Sequence, residues 1–187
     1  VEYKIEEQYD SMIRAYENLR ILATNIGKTA VIGDRTAVDA TTSFFMNCYH
    51  FKDWLKKDSR IQCPKNVEDF ISNSYALSIA ADLCNSFKHA GIKSDPRSGK
   101  PLEKINMAYS LDIPLGSDPA YIQFSRNPSD GDTITISQSI RAGGPVATAK
   151  VVFTLGGISY DAIEVADECV RQWNSFLESR GISVALD

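Results

Sequence analysis

Apolar residues recur at helical spacing through the first half of the chain and then switch to alternation. Ile5, Tyr9, Met12, Tyr16, Leu19 and Ile26 follow steps of three and four with one stretched step, which predicts an amphipathic helix ending near Gly27. Asp34, after Gly33, is placed to cap a second helix reaching about Asp58, with Phe44, Cys48, Phe51 and Leu55 as its stripe. Pro64 ends the connection that follows. A third helical region covers 66–90, with a break and a fresh cap expected at Ser72-Asn73-Ser74 and a stop at Gly91. The stretch 92–102 carries Pro96, Gly99 and Pro101 and reads as a mobile loop.

Beyond this loop the period falls to two. Extended segments are expected at 105–113, 120–125, 133–140 and 146–155, separated by Gly, Pro and Asp clusters that suit turns. Consecutive strands joined in this way predict an antiparallel meander, closed by Gly156-Gly157. Asp161 then caps a last helix, whose stripe of Ala162, Ala166, Cys169, Trp173 and Phe176 runs to Gly181. That apolar face needs a partner, and three preceding helices supply one. The expected fold is α+β and mainly α, a four-helix bundle with an antiparallel meander inserted before its last helix, in a single domain over 1–187.

Composition narrows the class. With 187 residues, 43% hydrophobic and 24% charged, the chain has the make-up of a globular protein with a real core. No apolar run is long enough to span a bilayer, so no membrane partner is expected. No charged-then-apolar leader opens the sequence, although Val1 rather than Met stands first and leaves room for a native start upstream. Four scattered cysteines without Cys-x-x-Cys spacing point to reduced thiols and a cytoplasmic setting. The net charge of −4 argues against a general nucleic-acid binder, yet 50–104 holds ten Lys and Arg against seven Asp and Glu. Phosphate-binding glycine loops, nucleophile elbows and His-Glu-x-x-His helices are all absent.

The chemistry concentrates in two polar marks set into apolar helices, His50-Phe51-Lys52-Asp53-Trp54 and Asp82-Leu83-Cys84-Asn85-Ser86-Phe87-Lys88-His89, which hold both histidines of the chain. At about 100° per residue, Asp82, Asn85 and His89 share one side of their helix and His50, Asp53 and Lys57 share another. These faces are ordinary wet surface, a subunit contact, or two walls of one site. Two imidazoles and two carboxylates suit proton transfer at neutral pH or a divalent metal. Neither helix has the paired i, i+4 histidines of a dedicated metal helix, so no metal or cofactor is expected. Trp173 belongs to the core stripe, and Trp54 lies off its own.

A helical bundle with a polar motif ending in His late in its third helix resembles the HEPN class (higher eukaryotes and prokaryotes nucleotide-binding domains). Asn85 to His89 matches the later part of that motif, while Cys84 or its neighbours stand where the class carries Arg. The resemblance implies a homodimer with the motif facing its cleft, RNA or nucleotide as ligand, and a bacterial defence or toxin–antitoxin setting. With the arginine missing, it implies a binding or regulatory protein with little or no ribonuclease activity. The expected ligand-binding residues are His50, Asp53, Asp82, Asn85, Lys88 and His89, with His50, Asp82 and His89 the candidates for catalysis. The alternatives are a divergent ribonuclease or metal-dependent hydrolase using His50, Asp53, Asp82 and His89, and a structural module working through its sheet edge.

Overall fold

The computed structural model describes residues 4–25, 34–89, 95–112, 121–127, 131–137 and 146–184. Among them are five helices, α1 (Ile5–Asn25), α2 (Asp34–Leu55), α3 (Lys65–Asn73), α4 (Tyr75–His89) and α5 (Ala162–Ser179). Between α4 and α5 come β1 (Leu102–Asp112), β2 (Tyr121–Asn127), β3 (Gly131–Ser137), β4 (Val146–Leu155) and β5 (Ile158–Asp161). The protein is thus α+β, with a small antiparallel sheet ahead of its last helix. The expected stops at Gly27 and Gly91 lie outside the described residues, as do most strand connectors.

The helix boundaries have local causes. At Ser74 the backbone turns extended, with φ −104° and ψ 118°. Its hydroxyl accepts the Leu77 N–H at 3.3 Å and so caps the next helix. Asp161 caps α5 by accepting the Ile163 N–H at 2.9 Å. At the other end Gly181 takes φ +64°, and the Gly181 and Ile182 N–H groups return to Glu178 and Leu177 carbonyls. This left-handed stop then drops Ile182 into the core.

The sheet differs from the expected meander. β1 pairs with β4 from Leu102↔Leu155 to Asp112↔Val146, and β5 adds on the far side of β4. β2 and β3 form a separate two-stranded ladder between them. Gly156-Gly157 does not close the sheet; with φ of +53° and +79° it turns the chain directly into β5. Alternation fixes which side of a strand is buried but is silent about its neighbour, and long strands joined by a hairpin excursion satisfy it equally well.

α5 fills the groove it was expected to fill. Val151, Phe153 and Leu155 of β4 join Ala166, Cys169, Trp173 and Phe176 of α5 in one buried cluster with α1, α2 and α4. The fully buried Trp173 stands edge-on to Phe51 at 5.4 Å and donates its indole N–H to the Cys48 carbonyl at 3.2 Å. Tyr9 and Tyr16 of α1 donate to Asn174 at 2.7 Å and Asp167 at 2.6 Å, tying the first helix to the last.

Candidate functional site

His50 and Asp53 stand one helical turn apart on α2, which puts imidazole and carboxylate side by side, Nδ1 to Oδ2 3.6 Å. The other ring nitrogen, Nε2, faces the Cys84 thiol of α4 at 4.0 Å. Half-buried His50 therefore bridges a carboxylate and a fully buried thiol across the α2–α4 seam. Cys84 reads from sequence as a small packing residue. It is one, and it also completes a thiol–imidazole–carboxylate line that no sequence spacing announces.

A cation network adjoins this line. Lys52, almost wholly buried, reaches Asp53 at 2.6 Å and lies 4.6 Å from the centre of the Tyr49 ring. Glu68 on α3 gathers Lys56, Arg97 at 3.1 Å and Lys52 at 3.9 Å. Burial opposes ionisation of Asp53, yet the Lys52 hydrogen bond and charge, helped by Lys56 and His50, hold its carboxyl below the usual range. Glu68 is likewise held low: hydrogen bonds from Lys56 and Arg97 outweigh its burial. Burial pushes the Tyr49 phenol up.

Asp82, a charge amid apolar neighbours on α4, is met by backbone partners. It is 2% exposed, and its two oxygens accept the Arg97 N–H at 2.6 Å and the Ser98 N–H at 2.7 Å. The helical wheel pointed it away from the apolar ridge of α4, but that side is covered by the 95–100 turn rather than by water. The described part of the 92–102 loop is joined to Asp82 through these two hydrogen bonds. Asn85 lies half-buried on the next turn. The side chains of Lys88 and His89 lie outside the described residues, so the expected meeting of the two histidines does too.

The structure thus brings His50 together with Asp53 and Cys84, and Asp82 together with a backbone turn. Among the described residues, no three His, Cys, Asp or Glu side chains gather closely enough to hold a metal ion. The residues that sequence reasoning passed over are Tyr49, Glu68, Cys84 and Arg97. Arg97 was visible only as one of several basic residues in a loop. Trp54 is partly buried against the core. Among the described residues no helix is long and apolar enough to cross a membrane.

Comparison of the chain with protein-family models, with curated proteins and with solved structures found no match.

Proposed function

We propose that this chain is a HEPN-like binding or regulatory protein with little or no ribonuclease activity, working as a homodimer. The ligand is a phosphate-bearing one, RNA or nucleotide, met by the polar strip of α2 and the 95–100 turn. The observation that carries this reading is the Asp82 anchor. Both oxygens of that buried carboxylate accept backbone N–H groups, so the acid of the motif holds a loop and is not positioned to shuttle protons. The turn it holds carries Arg97 to the edge of the strip beside Glu68. A guanidinium has five donors in a fixed fork suited to phosphate. In this reading Arg97 takes the part of the arginine that the sequence lacks ahead of its histidines.

The test is fluorescence anisotropy with a labelled single-stranded RNA and with ATP across a salt series, alongside a cleavage assay. Binding should weaken steeply with salt, and Arg97→Ala should lower the salt slope by about 0.7 for the lost phosphate contact. Cleavage by the parent chain that disappears in His89→Ala would replace this reading with the divergent ribonuclease. Absence of binding to either ligand at low salt would remove the phosphate-bearing ligand.

A second reading rests on the Cys84–His50–Asp53 line, which has the nucleophile, base and orienting-acid order of thiol hydrolases. It requires the seam over Cys84 to open. Iodoacetamide labelling followed by peptide mass analysis separates the two readings. Exposed Cys63 labels under either reading; under the binding reading Cys84 reacts no faster than the buried Cys48 and Cys169, and under the thiol reading it reacts well ahead of those two and slows in His50→Ala.

A further inference from the structure

A second constellation lies away from the strip, where α4, β5 and α5 meet around a cavity of about 300 Å³. Tyr75 and Ala76 open α4 on one wall, Val165 and Glu168 of α5 form another, and Tyr160 stands at the junction with β5. The Tyr160 and Tyr75 hydroxyls are 2.6 Å apart, and Lys100 donates its ammonium to the Tyr160 oxygen at 3.1 Å. Tyr160 and Lys100 are held from behind. The Tyr160 ring stacks on buried Phe153, with centroids 5.7 Å apart and planes at 17°. The Lys100 stem lies against Gly156, where an added Cβ would sit 3.2 Å from its Cβ and Cγ. Gly156 therefore serves both the turn, through its positive φ, and the seating of Lys100.

We propose that this cavity binds a small organic acid, its carboxylate accepting the Tyr160 O–H, with the Lys100 ammonium on that same phenol oxygen, and its apolar body against Ala76, Ile79 and Val165. The hydrogen-bond arithmetic sets the sign of the ligand. When Tyr160 accepts from both Tyr75 and Lys100, its own O–H is left to donate outward, and the lysine ammonium, which also meets the Tyr75 oxygen, keeps one further donor. A spot with several donors and one positive charge recognises an acceptor carrying negative charge. The hydrogen bond from Tyr75, and then that from Lys100, hold the Tyr160 phenol below its ordinary range, which is the same preference felt by the protein's own oxygen. Two acids line the opposite side. Glu168 is paired with Arg171 and accepts the Gln172 amide N–H, and exposed Glu164 on the first turn of α5 limits the ligand to a single carboxylate.

The experiment is an NMR titration of the whole chain with 4-methylpentanoate, and with 3-methylbutylamine as a probe of similar shape and opposite charge. The acid should bind with Kd on the order of 1 mM, as suits so few atoms, and should shift signals of Tyr75, Tyr160 and Val165. Tyr160→Phe keeps the ring stacked on Phe153 and should weaken the acid about tenfold, the scale of one charge-assisted hydrogen bond. Lys100→Met should do at least as much. Preference for the amine would overturn the proposal. So would acid binding that ignores Tyr160→Phe, or no saturable shift with either probe at the highest soluble concentration.

Discussion

The strip on α2 and the cavity beside Tyr160 are both polar clusters anchored on α4, and they use their polarity in opposite ways. On the strip, charge meets charge. Lys52, Lys56 and Arg97 converge on Asp53 and Glu68, and Asp82 is saturated by two amides. At the cavity there is less charge, but donors converge on one phenol oxygen next to open volume. Density of ionisable groups is therefore a poor guide to a ligand site. What distinguishes one is hydrogen-bonding capacity that the fold leaves facing space. On the strip the Arg97 guanidinium already meets Glu68, and the proposed recognition rests on the donors of its fork beyond that pair.

The comparison breaks most forcefully at the frame both regions share. Trp173→Ala should cost on the order of 3–5 kcal/mol, as large aromatic deletions in cores do. Chemical denaturation should register the loss. A smaller loss would mean that α5, and with it the cavity wall, is held independently of α2. Next comes Asp82→Ala, which strips the Arg97 and Ser98 amides of their buried acceptor and should cost about 1–3 kcal/mol. Hydrogen exchange at Arg97 and Ser98 should accelerate more than in the rest of the chain. Unchanged exchange there would show that Asp82 is no anchor.

Smaller effects sharpen the contrast. Asp53 and Glu68 have folded-state pKa values below their ordinary ones, so their stabilising contribution is complete above the usual carboxylate range. It is lost as pH falls through their folded values. Thermal melts should therefore drop on acidification from neutrality. Glu68→Gln should lower the neutral-pH stability by less than about 1 kcal/mol, because the cluster is partly exposed, and should flatten the acid dependence. The smallest change is expected from Tyr160→Phe, within about 0.5 kcal/mol of the parent. A site whose donors serve a ligand should be nearly dispensable for folding, whereas a large destabilisation would place Tyr160 with the strip, among groups that hold the chain together.

Much of the fold was legible because its signals are local. The change of period, the caps at Ser74 and Asp161, the stop at Gly181 and the stripe of α5 each depend on residues within a turn or two. Strand partnership was not, since Leu102 meets Leu155 only after a separate β2–β3 ladder has intervened. β5 was missed because four residues behind a glycine pair offer too short a pattern. The site followed the same rule. His50 and Asp53 were readable as neighbours on one helix, but the Cys84 contact depends on how α2 and α4 register against each other. The partner of Asp82 was not readable, because a helical wheel gives direction relative to its own helix and not what lies over it. Tyr75, Lys100 and Tyr160 come from three separate segments, and nothing in their spacing joins them.

The order of elements carries a consequence for how the chain comes into being. Helices α1, α2 and α4 are made early, yet the indole that fills their groove belongs to α5, behind the whole β segment. During synthesis the groove must wait, greasy and unfilled, while more than seventy residues from Lys88 to Asp161 emerge. Such long-range closure slows folding and leaves a window for misassociation. The length of the β segment thus sets the delay between making that groove and filling it.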